Sequence, residues 1–347
     1  MTKTFIFTIL FIILIGFMFQ KKLKFGWILI LFLIFCILIF TFINYKTEKS
    51  YPIYDIHEHL AEDNLDKLLF AMEENNISFT VVLGSPHYTL TLKDPGFKDH
   101  EKNNDYLLNV SKTNPILTFC TVDPRREENL QTLKSCMERG ASGLKLYSGH
   151  YSSFYRFLGP LNRTEMKPTY QYCEENQIPV MFHVNPFYSD IRQEFESVLT
   201  EYPKLIVDCP HWCLSSINDG RFRELYDKYP NLYTDISFGS RFAQDGFERI
   251  SENSDKYREL IEDYQDRFMF GTDMVLTNEK SKEFARDMLG CYRKMLEQSE
   301  YSCEVGERDS NFSVYGTFNG LNLTDSILRK IYYENPERFL EGKTYVE

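Results

Sequence analysis

Eight short runs of apolar, β-prone residues, each followed by a stretch of helical character, constrain the fold of this chain most. The runs lie at 53–57, 78–84, 116–122, 142–148, 179–184, 204–209, 231–237 and 267–273. Eight strand–helix units form a (β/α)8 barrel, and such barrels take about 250 residues. The sequence therefore predicts an α/β protein with a TIM-barrel architecture. A doubly wound open sheet shares the same alternation and is the alternative fold.

Two uncharged apolar runs come before this alternation, at about 4–20 and 26–44. Each is close to the length of a helix that crosses a bilayer. No small-residue cleavage site of the kind found in signal peptides follows the first run. We therefore expect residues 1–50 to form a two-helix transmembrane hairpin in the lipid bilayer, which predicts a multi-pass membrane protein. Residues 51–347 are expected to form the barrel domain.

The side of the membrane that the barrel faces stays open. Lys21, Lys22 and Lys24 lie between the two apolar runs, and their charge favours a cytoplasmic loop with the barrel on the outer side. Seven of the eight cysteines lie beyond the second run, scattered and odd in number. Such a distribution does not predict a disulfide framework and favours a reducing compartment. The lysines therefore favour the outer side of the membrane for the barrel, whereas the cysteines favour the cytoplasmic side.

The chain beyond the apolar runs is strongly acidic. The formal net charge is −11, and the only charged side chains before residue 45 are four lysines, so the remainder carries −15. Binding to phosphates requires clustered positive charge. The charge therefore argues against nucleic acid as a partner. A small-molecule substrate is expected, and self-association into a homo-oligomer stays open.

Residues suited to metal binding stand at the carboxyl ends of the predicted strands. The first strand runs into "YDIHEHL", where His57 and His59 share one face because side chains alternate. His183 ends the fifth strand, His211 follows the sixth and Asp273 ends the eighth. By itself the histidine pair also fits a solvated turn, but in a barrel the carboxyl ends of the strands meet at the active site. Imidazoles and a carboxylate are ligands of Zn²⁺ and similar ions.

Three further features near these strand ends allow more than one interpretation. Lys145 in the fourth strand and His150 after it are candidates for contact with the substrate or a second metal ion. A surface position explains His150 equally well. Cys209 and Cys213 flank His211 in "CPHWC", which suggests a thiolate metal site. Strand alternation places Cys209 one layer below His211, however, and this favours packing.

Six further motifs continue the series that begins with H-x-H in the first strand. In order they are "GLKLY", "IPVMFHV", "LIVDCPHW", "LYTDIS", "FMFGTDM" and "YYENPERFL". As an ordered set over residues 53–343 they resemble the amidohydrolase superfamily. Within it they are most similar to the amidohydrolase-2 branch, the aminocarboxymuconate-semialdehyde decarboxylase-like metal-dependent hydrolases. The resemblance implies a distorted TIM barrel with one divalent metal ion, usually Zn²⁺.

The resemblance also implies roles for individual residues. The implied metal ligands are His57, His59, His183 and Asp273. His211 would lie beside the bound water. Lys145 occupies the position at which binuclear relatives carry a carboxylated lysine between two metals. In this branch an unmodified lysine that contacts the substrate or pairs with a carboxylate is the preferred interpretation.

The expected function is that of a membrane-anchored, metal-dependent hydrolase in which a metal-bound water attacks a C–N, ester or lactone bond of a small molecule. Asp273 is the expected base, and His211 is expected to orient or stabilise the oxyanion. A nonoxidative decarboxylase of a small carboxylic acid is the alternative, with Arg125, Arg156 and Arg241 as candidates for binding the carboxylate. A catalytically inactive, membrane-tethered binding protein is the second alternative, which the complete set of site residues opposes.

Overall fold

The computed structural model describes residues 51–149, 155–213, 219–239, 243–306 and 313–340. The chain divides into two units, Met1–Lys49 and Ser50–Glu347. The description that follows concerns the second unit alone. The expected hairpin domain over 1–50 lies outside the described residues.

The eight strands predicted from the sequence are present in one parallel sheet. They are β1 (Tyr54–Leu60), β2 (Phe79–Leu83), β3 (Ile116–Thr121), β4 (Gly143–Leu146), β5 (Val180–Phe182), β6 (Val207–Asp208), β7 (Leu232–Asp235) and β8 (Phe268–Met269), and β9 (Met274–Leu276) continues the eighth. Neighbouring strands follow the order β8-β7-β6-β5-β4-β3-β2-β1-β9. Nearly all of their residues are buried, as expected of parallel strands covered by helices.

The two ends of this strand order meet, because only residues 270–273 separate β8 from β9. The amide of Ile56 donates a hydrogen bond to the carbonyl of Phe270 at 3.0 Å, and the amide of Asp273 donates to the carbonyl of His57 at 2.7 Å. The first strand is therefore hydrogen-bonded to the eighth, and the sheet closes into a barrel. The predicted (β/α)8 architecture is confirmed, and the open doubly wound sheet is excluded.

Helices follow the strands and cover the barrel. The described helices are α1 (Leu65–Glu74), α2 (His87–Thr91), α3 (His100–Val110), α4 (Asn129–Glu138), α5 (Lys167–Glu175), α6 (Ser189–Glu201), α7 (Asp219–Lys228), α8 (Ala243–Glu252), α9 (Ser254–Asp263), α10 (Lys282–Glu297), α11 (Asp325–Arg329) and α12 (Asn335–Phe339). In α1, Leu68, Ala71 and Met72 recur at the spacing of one helical face and are buried, and α1 packs against α10. Burial of a side chain such as Leu68 contributes about 1.5–3 kcal/mol.

Six cysteines are disulfide-bonded, which corrects the expectation that the cysteines form no disulfide framework. The pairs are Cys120–Cys136, Cys209–Cys213 and Cys291–Cys303. The odd number of cysteines concealed these pairs, because pairing depends on the distance between Cα atoms in the fold rather than on spacing in the chain. The remaining described cysteine, Cys173, is a buried thiol. The bond between Cys209 and Cys213 also removes the thiolate interpretation of that pair.

The prediction of a membrane localisation is corrected by the described helices. None of them is long and apolar enough to cross a bilayer. The two apolar runs on which the prediction depended, 4–20 and 26–44, lie outside the described residues.

Candidate metal centre

The carboxyl ends of four strands supply the polar side chains of one buried cluster. His57 and His59 come from β1, His211 follows β6, Asp235 ends β7, and Asp273 lies between β8 and β9. All five are at most 7% exposed. The closed barrel brings these residues together although they are spread over more than 200 positions of the chain.

Three histidines direct their Nε2 atoms at the carboxylate of Asp273. The Nε2 atoms of His57 and His59 each lie 3.1 Å from Oδ1 of Asp273, and Nε2 of His211 lies 3.7 Å from Oδ2. Ligand-bearing atoms of His57, His211 and Asp273 all lie within 4.8 Å of one another. The alternation predicted for His57 and His59 is consistent with this arrangement, since both side chains reach the same carboxylate.

The other ring nitrogen of each of these histidines is held by an outer partner. Nδ1 of His57 donates to Oδ2 of Asp235 at 2.5 Å. Nδ1 of His59 lies 2.7 Å from the hydroxyl of Ser85, and Nδ1 of His211 lies 2.7 Å from that of Ser237. Histidines that bind metals are oriented by such partners on the second nitrogen. The arrangement leaves Nε2 of each ring directed at the centre of the site.

Asp235 forms hydrogen bonds with both His57 and His211, and the sequence analysis did not identify it. Its Oδ1 accepts hydrogen bonds from the amides of His211 and Ser237, at 2.9 and 3.0 Å, while its Oδ2 holds His57. Its position as the last residue of a predicted strand, within "LYTDIS", is the one signal that could have identified it. The serine partners follow strand ends in the same way.

The backbone at two of the site residues lies in the left-handed region. His211, Trp212 and Cys213 have φ values of 61°, 57° and 49°, and Asp273 has 52°. Such conformations carry strain for residues other than glycine, and they persist only where surrounding bonds enforce them. At His211 the enforcing bonds include the one from its amide to Asp235. The strained turn aims the imidazole at the cluster.

Burial and mutual contact shift the pKa values of the cluster in opposite directions. Burial and the ammonium of Lys145 lower the pKa of His57, but the carboxylates of Asp273 and Asp235 outweigh them and raise it to about 9. Burial lowers the pKa of His59 to about 4 and also lowers that of His211. Without a metal ion, His57 is therefore the cationic histidine at neutral pH. A metal ion that binds it must displace a proton.

The two carboxylates are held in the ionised form. Burial raises the pKa of Asp273, but the charge of His57 and hydrogen bonds from His57 and His59 outweigh burial and hold the pKa well below its usual range. Burial likewise raises the pKa of Asp235, and the charge and hydrogen bond of His57 outweigh it. Both groups are therefore carboxylates at neutral pH, as metal binding and proton acceptance require.

The other predicted site residues differ in their placement. His183 follows β5 and is half-buried, with its ring centroid 5.1 Å from that of His211. Lys145 in β4 is fully buried, and its Nζ lies 3.4 Å from Nε2 of His57. His150 lies outside the described residues. The division of roles between His183 as a ligand and His211 as a neighbour of the water stays a prediction.

The arginines considered for carboxylate binding are engaged elsewhere where the structure describes them. Arg125 donates to both oxygens of Asp123 at 2.9 and 2.6 Å. Arg156 pairs with Asp190 and Glu194. Arg241 lies outside the described residues. Neither described arginine is placed to bind a substrate without first releasing an acidic partner.

The donor set fits a divalent metal ion. Ligand atoms lie about 2 Å from Zn²⁺, so ligands of one ion are about 3–3.5 Å apart. The distances of 3.1 Å between Asp273 and each of His57 and His59 have this size. Imidazole and carboxylate are the donors that such ions take in catalytic sites.

We expect Asp235→Asn to weaken metal binding about 10–100-fold, the usual effect of removing an outer partner of a metal-binding histidine. The amide cannot carry the negative charge that holds the Nδ1 proton of His57. The measurement is Zn²⁺ affinity by competition with a chromogenic chelator. Asp123→Asn is the matched control, because Asp123 is also buried at a strand end but pairs with Arg125. Equal affinities for wild type and Asp235→Asn would contradict the role given to Asp235.

Comparisons with known proteins identify a family and agree with the fold. The family model described as Amidohydrolase matches residues 55–342. No curated protein matches the chain. Among solved structures, an uncharacterised TIM-barrel protein from Bordetella bronchiseptica has a TM-score of 0.55 at 15% identity, over 84% of this chain and 99% of that chain.

Two further solved structures share the fold. A 2,6-dihydroxybenzoate decarboxylase from Rhizobium has a TM-score of 0.52 at 15% identity, over 84% of this chain and 99% of that chain. An amidohydrolase from Burkholderia multivorans with bound zinc has a TM-score of 0.53 at 11% identity, over 84% of this chain and 99% of that chain. At these identities the likeness concerns the fold alone.

Proposed function

The chain belongs to the amidohydrolase family, and from that membership we propose that it is a metal-dependent hydrolase of a small molecule. The proposed reaction is the attack of water on a C–N, ester or lactone bond. The observation that carries the proposal is the convergence of three histidine Nε2 atoms on the carboxylate of Asp273. The Nδ1 atom of each ring is hydrogen-bonded to an outer partner, which fixes the orientation of the ring. A site built for packing would have no need of this orientation.

The proposed metal is one Zn²⁺ ion, with His57, His59, His183 and Asp273 as the residues that hold it. When bound, such an ion supplies Lewis-acid chemistry and lowers the pKa of a water molecule toward neutrality. A bound zinc in the Burkholderia structure supports the choice of metal. The proposed role of the outer partners Asp235, Ser85 and Ser237 is to keep the rings in place.

The protein's own residues then move the proton. Asp273 is ionised at neutral pH and accepts a proton from the attacking water at its carboxylate, and it returns the proton to the leaving group. His211, held by Asp235 and Ser237 with its Nε2 directed at the centre of the site, lies beside the attacking water and orients it. The buried setting strengthens both interactions, because little water screens them.

A nonoxidative decarboxylase of a small carboxylic acid is the second candidate. The structural match to 2,6-dihydroxybenzoate decarboxylase favours it, since the same barrel carries that reaction in the matched protein. Aromatic side chains next to the cluster also suit a planar substrate. The ring centroid of Tyr147 lies 6.4 Å from that of His59 and 5.0 Å from that of Tyr155.

One screen distinguishes the two candidates. The purified full-length protein would be assayed against esters, lactones, amides and aromatic carboxylic acids in water labelled with heavy oxygen, with and without a chelator. A hydrolase places the label in its product, whereas a decarboxylase releases carbon dioxide and leaves the product unlabelled. Activity that survives complete removal of metal would contradict both candidates.

A further inference from the structure

Lys145 lies fully buried in the barrel, and no carboxylate of the described residues is within hydrogen-bond distance of its Nζ. Its Nζ lies 3.4 Å from Nε2 of His57, 3.1 Å from the sulfur of Met181 and 5.5 Å from the ring centroid of Tyr147. A buried ammonium is stable only with a partner of opposite charge or with good hydrogen-bond acceptors. Lys145 has neither in direct contact: burial lowers its pKa to about 8, and the charges of Asp273, Asp208 and Asp235 oppose that shift from a distance.

Asp208 is a buried acidic group that also lacks a direct partner among the described residues. It ends β6, it is fully buried, and neither of its carboxylate oxygens has a hydrogen-bond partner among the described residues. Orphaned buried polar atoms are few in native proteins, and each requires a physical explanation. The mechanism described above makes no use of Asp208.

The strand register places these two residues on the same face of the sheet. Lys145 pairs with Met181 across β4 and β5, and Met181 pairs with Asp208 across β5 and β6. Residues in register on neighbouring parallel strands point the same way. The Cα atoms of Lys145 and Asp208 are therefore about two strand spacings, or about 10 Å, apart. The two side chains interact electrostatically across the intervening strand β5. Burial and the charge of Asp235 raise the pKa of Asp208 well above its usual range, and the positive charge of Lys145 opposes that shift, so a closer ammonium favours the ionised form.

Metal binding would make the observed position of Lys145 unfavourable. The atom that Lys145 approaches most closely on His57 is Nε2, the atom assigned to the metal ion. A divalent cation on that nitrogen and an ammonium beside it repel each other strongly, because the barrel interior screens charges weakly. A divalent ion adds to the positive charge already on His57, so we expect it to favour a position of the ammonium farther from that ring. The lysine side chain is long enough to extend from β4 past β5 toward Asp208 on β6.

We propose that Asp208 is a positioning residue that receives the ammonium of Lys145 when a divalent ion binds at His57. The metal site and an internal Lys145–Asp208 ion pair then form together. The carboxyl group of Asp208, which has no hydrogen-bond partner among the described residues, releases its proton to solvent and acquires the ammonium as its partner. This inference rests on the metal-dependent function proposed above. It assigns Lys145 to the interior of the barrel rather than to a second metal ion.

A double-mutant cycle on metal affinity tests the proposal. The Zn²⁺ dissociation constant would be measured by chelator competition for wild type, Asp208→Asn, Lys145→Met and the double variant. We expect Asp208→Asn to weaken binding about 10–100-fold, the range found for residues that support metal ligands. Lys145→Met should bind at least as tightly as wild type. The double variant should return to within about threefold of Lys145→Met, because no ammonium is left to relocate.

Two outcomes of the cycle would overturn the proposal. Equal affinity of wild type and Asp208→Asn would show that Asp208 has no part in metal binding. A loss that persists in the double variant would show a purely structural role that is independent of Lys145. A wild-type protein without zinc affinity would overturn the proposed function as well, so the two failures are distinguishable. Asp123→Asn again controls for the loss of a buried carboxylate.

A zinc-loaded crystal structure of the wild type tests the same proposal without any variant, in case Asp208→Asn does not fold. We expect Nζ of Lys145 within 4 Å of the Asp208 carboxylate. A lysine that remains beside His57, or a carboxylated lysine between two metal ions, would overturn the inference.

Discussion

Asp273→Asn is expected to lower turnover by about 10²–10⁴ on a confirmed substrate while the barrel keeps its fold, the range being that of general acid–base catalysis. Asparagine has the same size and keeps one oxygen that can face His57 and His59. It cannot accept a proton. The measurement is kcat under saturating substrate, with zinc content determined on the same preparation so that loss of metal is not mistaken for loss of a base.

The comparison variant for this experiment is His211→Ala. We expect it to lower turnover and to spare most of the zinc, since His211 is assigned to the attacking water rather than to the ion. Asp123→Asn, at the end of β3, should leave turnover close to that of wild type because Asp123 faces Arg125. Near wild-type turnover of Asp273→Asn would show that another group accepts the proton, and His211 would then be the first residue to test.

The wild-type protein is expected to hold close to one zinc ion per chain, and His57→Ala is expected to lose most of it. The imidazole of His57 lies at the centre of the cluster, in contact with Asp235, Asp273 and Lys145. At a free zinc concentration of about 100 times the dissociation constant, binding stabilises the native protein by about 2.7 kcal/mol. For a domain of this size the melting temperature of the wild type should rise by about 5 °C on zinc addition.

Metal analysis and thermal melts with and without zinc check this expectation. The melting temperature of His57→Ala should respond little to zinc, whereas an exposed substitution such as Asp245→Asn should leave the response unchanged. Two ions per chain, with a carboxylated Lys145, would contradict the single-ion site. A wild-type protein that binds no zinc and shows no thermal response would contradict metal dependence.

The barrel could be predicted from sequence because its strands are buried on both faces. Segments such as 116–122 and 179–184 are short, apolar and β-branched, and no helical face competes with that pattern. The clustering of three residues of the candidate metal centre could be predicted for a related reason. His57, His59 and Asp273 interrupt apolar runs at the point where strands of a barrel converge.

Other features could not be predicted because they depend on distance in space. The carboxylate of Asp235 contacts a histidine 178 positions earlier in the chain, and a single aspartate at a strand end has no periodic signature. The hairpin of β10 (Glu300–Val305) and β11 (Val314–Asn319) was also missed. In β10, Tyr301, Cys303 and Val305 are buried alternately with exposed residues, but glycines and charges on either side obscured the pattern.

The disulfide between Cys209 and Cys213 has a consequence for how the protein responds to reductants. It spans a separation of 4 residues, against 16 and 12 for the other two bonds. In the chain-entropy account, so short a loop contributes about 2 kcal/mol to the free energy of unfolding and each longer loop about 3 kcal/mol. Its opening therefore subtracts least from global stability, yet it frees the one turn that aims His211 through three left-handed residues. Reduction confined to this loop is therefore expected to loosen the turn at His211 while the rest of the barrel stays folded, so a test of global folding alone would not report the change.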